Sequence, residues 1–354
     1  MRIGLLGACS ERGGVAARVL LDAGVDTLCL GARDPRHAAA LAAELGTRAP
    51  GARIETVAVD PADAASLLTF AAACGVLVNC AGPAHSASRQ IALAAVAAGV
   101  DLIDTHAAPE SAPLFEQAPA RTALFGTGMQ PGLTALLPRW LAEREFARVT
   151  RLRSYLRVFD RLSIPAARDL GYLADTATCT PLAVWRSGPR RGALARRSAV
   201  ELSGVEAPST LLPYLDPEAT ALAAWIGLEH GDWFSMATGP QLLDTLDPAA
   251  TGSIEHHPRS QLLVELVGLD SGGRARTRCA LLDGGDSTVI GATLIALATL
   301  AVVAGAVRSG AGFAALALDP ERTLADLSAR GVIEPPQQFD GGIEDCAQTE
   351  RVTS

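Results

Sequence analysis

Gly7-Ala-Cys-Ser-Glu-Arg-Gly13-Gly14 follows a short apolar run, Arg2–Leu6, and opens an apolar helical stretch, Val15–Ala23. Strand, glycine turn and helix together make the setting in which a dinucleotide is held. The turn is tight, the backbone approaches the pyrophosphate, and the first helix amides point at the anion. The spacing fits G-x-x-G-x-x-G with Ser10 at the middle position, from which a hydroxyl can reach a phosphate. Gly7, Ala8, Cys9, Ser10, Gly13 and Gly14 are therefore the candidate cradle. Arg33 ends the next strand, in Leu30-Gly-Ala-Arg-Asp. An acid there grips the ribose 2′-hydroxyl of NAD, whereas Arg accommodates the 2′-phosphate of NADP. Asp34, followed by Pro35, reads as a helix cap, and Arg36 adds charge at the same helix start. NADP(H) is thus favoured over NAD(H), the alternative being that Arg33 is only an exposed surface charge.

Asn79-Cys-Ala-Gly-Pro83 ends a further strand. In a doubly wound sheet the crevice beside that strand is where the cofactor lies, so Asn79, Ala81, Gly82 and Pro83 join the cofactor set. Asn79 is the only Asn in the chain, and it is either a cofactor contact or an amide that stabilises the turn. Asp104-Thr-His106 ends the strand after it, and His85 follows the Gly-Pro turn. A histidine titrating near neutrality can exchange the proton that accompanies hydride transfer, so His85, His106 and Asp104 are the catalytic candidates. Asp104 either orients His106 or caps the next helix, and the proton donor is His85, His106 or a bound water.

The elements that position these residues alternate strand and helix. Strands are expected at Arg2–Leu6, Thr27–Leu30, Ile54–Val59, Val76–Asn79, Leu102–Asp104 and Leu124–Phe125, with helices between them. Their continuous apolar runs imply burial on both faces. The expected fold is α/β, a Rossmann-type doubly wound parallel sheet plus a second α+β domain with a mixed sheet. The first domain is placed at residues 1–130 and the substrate and dimerisation domain at 131–285. Helices in 286–334 are expected to pack back on the first domain, and 335–354 to form a loose tail. In the second domain Val149–Val158 reads as a strand with one solvated face, Ile164–Val184 as a helix and Pro189–Arg197 as a surface loop. Arg153, Arg157 and Arg161 offer guanidinium forks for a substrate carboxylate, or simply line that solvated face.

Composition excludes several classes of function. The chain has 354 residues, 49% of them hydrophobic and 19% charged, enough for two domains with large cores. Its net charge of −8 is the wrong sign for a nucleic-acid coat. All 30 cationic residues are Arg and none is Lys, which removes Schiff-base enzymes, P-loop NTPases and the Tyr-x-x-x-Lys dehydrogenases. Seven cysteines without a C-x-x-C pair point to buried thiols in a reduced cytoplasm. No zinc pattern is present; the only close histidine pair is His256-His257. Val289–Val307 is uncharged but rich in Ala, Gly and Thr, which suits a buried helix better than a membrane span.

Taken in order, these motifs resemble the saccharopine dehydrogenase-like reductases, whose relatives include saccharopine reductase and carboxynorspermidine dehydrogenase. The resemblance rests on Gly7–Gly14, Val76-Leu-Val-Asn-Cys-Ala-Gly-Pro83 and Gly99-Val-Asp-Leu-Ile-Asp104. It continues through Gly128-Met-Gln-Pro-Gly132, Gly284-Gly-Asp286, Ala317-Leu-Asp-Pro-Glu321 and Leu327-Ser-Ala-Arg-Gly331. It implies an NAD(P)-linked enzyme acting on the C=N centre of an amino-acid-derived substrate, working as a homodimer. Ser10 stands where that family has a loop glycine, and Gln130 where it usually has Asp. The lack of Lys is against the lysine-forming branch. An enoyl (C=C) reductase and a non-catalytic nucleotide-binding protein are the alternative readings.

Overall fold

The computed structural model describes residues 1–82, 84–106, 109–158, 180–195, 197–200, 209–237 and 258–343. The chain opens with β1 (Arg2–Leu6), α1 (Glu11–Asp22), β2 (Thr27–Ala32), α2 (Pro35–Arg48) and β3 (Arg53–Ala58). It continues through α3 (Ala64–Ala72), β4 (Val76–Asn79), α4 (Ala84–Ala98) and β5 (Asp101–Asp104). A 3-10 helix (Pro109–Gln117), β6 (Thr122–Phe125), α5 (Leu133–Glu145) and β7 (Arg148–Val158) follow. Next come the short strands β8 (Thr180–Pro181), β9 (Val184–Arg186), β10 (Pro189–Arg190) and β11 (Arg197–Val200), then β12 (Ser209–Leu215). After α6 (Pro217–Trp225) come β13 (His230–Ala237), β14 (Ser260–Leu269), β15 (Ala275–Gly284) and α7 (Ser287–Val303). The last elements are β16 (Gly310–Phe313), α8 (Ala314–Ala317), α9 (Pro320–Ala329) and β17 (Gln337–Asp340).

Two compact units result: Met1–Gly132 with Thr288–Asp319, and Leu133–Ser287 with Pro320–Ser354. The first holds a seven-stranded sheet in the order β16-β6-β5-β4-β1-β2-β3, parallel throughout. β4 and β6 are buried at every position, as expected of strands covered on both faces. Edge strand β3 instead carries Arg53 and Glu55, charges that blunt an open edge. Chain order reverses between β1 and β4, so loops from both sides meet at that switch point. α1 lies close to the sheet because its buried face is small: Gly13, Gly14, Ala16 and Ala17 precede Leu20 and Leu21. α7 is uncharged because Ile290–Thr299 is buried at every position. No helix among the described residues is long and apolar enough to cross a membrane.

The second unit holds a ten-stranded mixed sheet along β10-β9-β13-β7-β14-β15-β17, with β8, β11 and β12 off this path. Only β13 and β7 pair in parallel among the strands of this path. Tyr155, Phe234, Leu263 and Ile343 belong to one apolar cluster, in which Tyr155 stacks on Phe234 at 5.0 Å.

Several expectations need correction. The stretch 286–334 does not return as a whole to the first unit: Thr288–Asp319 does, but α9 joins the second. Glu321 at the start of α9 accepts hydrogen bonds from Trp140 (2.8 Å) and Arg144 (2.7 Å) of α5, which ties it there. The tail 335–354 is not wholly loose. β17 pairs with β15, Arg278 binds Asp340, and the Ile343 amide donates to the buried Glu265 at 3.0 Å; residues 344–354 lie outside the described residues. The face of β7 that carries the arginines is solvated only in its first half: Arg151 is exposed and Arg153 half-buried, whereas Tyr155 and Arg157 are buried. Of the helix expected at Ile164–Val184, residues 159–179 lie outside the described residues, while Thr180–Pro181 and Val184 are strand. The loop expected at Pro189–Arg197 begins as a strand, with Pro189–Arg190 pairing back on β9. His256 and His257 lie outside the described residues.

Phe125 is buried at the tip of β6 and meets Phe115 edge to face at 6.4 Å. Phe125→Ala is expected to destabilise the first unit by about 3–5 kcal/mol, read as a lowered urea midpoint; a loss under about 1 kcal/mol would mean the site collapses around the missing ring.

Candidate nucleotide-binding and active site

The glycine loop is built by close approach. Gly7 has φ +70°, and a Cβ there would lie 2.6 Å from Ala81 N and Cα on the neighbouring loop. Its amide donates to the Gly31 carbonyl of β2 at 3.0 Å, and its carbonyl accepts the Ser10 amide at 2.9 Å. A Cβ on Gly13 would collide with the Gly7 carbonyl oxygen and stand 2.8 Å from Ala8 Cα. Ser10 is the N-cap of α1: its hydroxyl oxygen accepts the Gly13 amide at 3.0 Å and its hydroxyl donates to the Cys80 carbonyl at 3.3 Å. The serine that breaks the glycine pattern thus fastens α1 to the tip of β4. Of the amides opening α1, those of Ser10 and Gly13 are spent in this way. Those of Glu11 and Arg12 have no intrahelical carbonyl to bond and remain for an anion. Ala8 is buried and Cys9 is exposed in the loop.

At the tip of β2, Arg33 is exposed and makes no ion pair with any described residue. Asp34 is occupied. It caps α2 by accepting the Arg36 amide at 2.9 Å and binds the Arg36 guanidinium at 3.0 Å, which holds its carboxyl below the usual range. Arg36 is paired with Asp34 but remains largely exposed at the same helix start as Arg33.

The tips of β4 and β5 are joined by one polar cluster. Asn79 and Asp104 are both buried, and Asn79 Nδ2 donates to Asp104 Oδ1 at 3.0 Å. Asn79 Oδ1 accepts the Ala81 amide at 3.0 Å, and Asp104 Oδ1 also accepts the His106 amide at 2.9 Å. The Asp104 carbonyl accepts the Thr127 hydroxyl at 3.1 Å, which brings in the turn after β6. Burial raises the Asp104 carboxyl above the ordinary range, against the pull of the His106 amide and ring. Burial also pushes the Cys80 thiol up to about 12, although the Arg12 charge opposes it.

The described candidates therefore gather at the carboxyl ends of β1, β2, β4 and β5, one edge of one sheet. Asp104 holds the backbone of His106 through its amide, whereas His106 itself is half-buried beyond β5. Gly14 is buried inside α1, and Gly82 is exposed beyond β4. Pro83 lies outside the described residues, and so does the side chain of His85, whose backbone is on α4. In the second unit Arg153 faces Glu265 at 3.5 Å, Arg157 is buried and donates to Gln261 at 3.4 Å, and Arg161 lies outside the described residues. Gln130 precedes a cis peptide to Pro131 in a turn where the Gly128 amide bonds the Pro131 carbonyl at 2.8 Å. Sequence reasoning missed Ser88, Thr127 and Arg12. Ser88 and Thr127 are buried beside Asp104, and Arg12 Nε is buried without a hydrogen-bond partner. The only sequence signal for Ser88 is a hydroxyl within an Ala-rich helix.

Gly13 and Gly14 are expected to differ in their tolerance of a side chain. Gly14→Ala meets only Arg18 Nη1 at 3.4 Å and the Ala8 carbonyl at 3.9 Å, and should leave the melting temperature within about 2 °C, whereas Gly13→Ala should lower it by several degrees. Equal melting temperatures would mean the loop yields freely at Gly13.

Comparison with known proteins agrees with this geometry. Residues 3–128 match the family described as saccharopine dehydrogenase NADP binding domain. No curated protein matches the chain by sequence. Among solved structures, the apo histidine-tagged saccharopine dehydrogenase (L-Glu forming) from Saccharomyces cerevisiae is 14% identical, covers 96% of this chain and 99% of that one, and has a TM-score of 0.66. A meso-dapdh mutant with DAP from Clostridium tetani is 13% identical over 88% of this chain and 93% of that one, with a TM-score of 0.44. Residues 3–128 thus match a saccharopine dehydrogenase NADP binding domain, and the chain as a whole shares the fold of a saccharopine dehydrogenase.

Proposed function

We propose that the protein is an NADPH-dependent reductase acting on the C=N bond of an amino-acid-derived substrate that carries a carboxylate. One observation carries the cofactor half: Arg33 stands unpaired among the described residues at the β2 tip while its acidic neighbour is consumed as a helix cap. A 2′-phosphate brings the charge this site lacks, and a 2′-hydroxyl finds no free acid to grip. The Gly7–Gly13 cradle and the Glu11 and Arg12 amides fit the pyrophosphate, and the Asn79–Ala81 tip lies where the nicotinamide end belongs. NADPH supplies a hydride when bound. His106, half-buried beyond β5, is the described candidate for delivering the accompanying proton, beside His85 and a bound water.

Support for the substrate half is the end-to-end likeness to a saccharopine dehydrogenase. Gln130 in place of an acid, and the absence of Lys, argue for a substrate other than that enzyme's own. The reading is completed by a homodimer in a reducing cytoplasm. Four of the five described cysteines are buried, which accords with that reading.

Calorimetry tests the cofactor assignment. NADPH should bind more tightly than NADH, and Arg33→Ala should cost NADPH about 1.5–3 kcal/mol, roughly 10- to 100-fold in affinity, with little change for NADH. NADPH should also protect Cys9, the exposed thiol of the cradle, from iodoacetamide in mass-mapped alkylation. Consumption of NADPH with an imine formed from an amino acid and a 2-oxo acid tests the substrate class. Failure of both cofactors to bind overturns the assignment.

A further inference from the structure

Asp104 does not have the surroundings of an ionised side chain. It is fully buried, and no cation pairs with it among the described residues. Both donors to Oδ1, the Asn79 amide and the His106 backbone amide, are neutral. Oδ2 has no partner of full hydrogen-bond geometry, while the buried Ser88 hydroxyl lies near enough to act on the carboxyl and, as a donor, lowers it, an effect that burial outweighs. A buried carboxylate without a countercharge is costly, and a single hydroxyl of imperfect geometry does not offset that cost. One proton on Oδ2 removes the buried charge, and the acid O–H then has the Ser88 oxygen as its acceptor.

We propose that Asp104 is a positioning residue held as a neutral carboxylic acid, its proton directed at Ser88, and that it sets the β4 tip against which the nicotinamide end of the cofactor rests. This rests on the NADPH reading. The connection is short. Asp104 orients the Asn79 amide, Asn79 fixes the Ala81 amide, and Ala81 packs against Gly7 of the glycine loop. The adjacent Cys80 carbonyl anchors Ser10, so both loops that hold the dinucleotide trace back to one carboxyl group. Among the described residues the titratable groups facing Asp104 are His106 beyond its own strand and Cys80 just after β4, with Arg12 of α1 acting on Cys80. α4 contributes the uncharged Ser88 and the turn after β6 contributes Thr127.

Burial raises this carboxyl in the folded state, so the stability linked to its proton is present in acid. That stability is lost as pH rises from the ordinary carboxylate range through the raised value. Asp104→Asn reproduces the neutral form, with Oδ1 accepting and Nδ2 donating to Ser88, whereas Asp104→Ala removes both functions.

The experiment compares wild type, Asp104→Asn, Asp104→Ala and Ser88→Ala. Urea unfolding without cofactor from about pH 5 to pH 9 should show stability falling more steeply with pH in wild type than in Asp104→Asn. NADPH calorimetry at neutral pH should place Asp104→Asn within about threefold of wild type and Asp104→Ala more than about tenfold weaker. Asp104→Asn as weak as Asp104→Ala, or a pH slope identical in wild type and Asp104→Asn, overturns the assignment. Where Asp104→Ala fails to fold, Ser88→Ala decides: severalfold weaker NADPH binding is expected, and no change overturns the assignment. Wild type that binds no NADPH overturns the cofactor reading and the positioning role together, whereas the unfolding series still decides the protonation state by itself.

Discussion

At Gly7 the end of β1 comes so near the loop after β4 that there is no room for a side chain, and α1 is pressed onto the same turn through Gly13. This approach is a constraint more than an attraction. Chain order reverses between β1 and β4, so two loops leave the sheet in opposite directions and open a crevice. Ser10 then bridges the two sides, capping α1 with one lone pair and donating its proton across to Cys80. A glycine at that position could supply neither bond. The departure from the familiar glycine pattern is therefore a clasp, formed where the backbone is already held by contact.

Charge is placed with similar economy. The β2 tip carries an acid and two bases close together, and the cap geometry of α2 sorts them. Asp34 is drawn to the helix amides and to the exposed Arg36, which leaves Arg33 without an ion-pair partner among the described residues. Inside the sheet the reverse holds: Asn79, Asp104, Ser88 and Thr127 are buried, and among the described residues no formal positive charge bonds to any of them. The exposed arginine offers recognition of an anion, and the buried cluster offers rigidity.

The first unit was readable from the chain because its strands are continuous apolar runs and its helices have clear caps. Asp34 with Pro35 behaves as that pattern implies, and the six expected strands all form. The second unit was less readable because its strands depend on cross-strand partners. β13 contains Gly231 and Asp232, which argue against a strand locally, yet it lies between β7 and β9 and is paired along its length. β17 owes its order to Asp340 and Phe339 meeting Arg278 and Cys279 of β15, which no local signal announces. At the site, the residue types were legible and their bonds were not. Asp104 and His106 are neighbours, but the bond runs to a backbone amide, and the hydroxyl facing Asp104 comes from the second turn of α4.

The seventh strand of the parallel sheet carries a consequence for biosynthesis. β16 pairs with β6 along Thr122–Phe125, yet it is encoded after the whole intervening segment Leu133–Ser287. A ribosome adding about 5–20 residues per second needs roughly 10 to 40 s to travel from the end of the first segment to the end of the second. During that interval the nascent sheet lacks its final neighbour, and β6 has an unpaired edge able to template contact with another chain. The long, uncharged α7 emerges just before β16 and belongs to the same unit. Completing the nucleotide-binding half is therefore a late event in the synthesis of this polypeptide, although that half begins at the amino terminus.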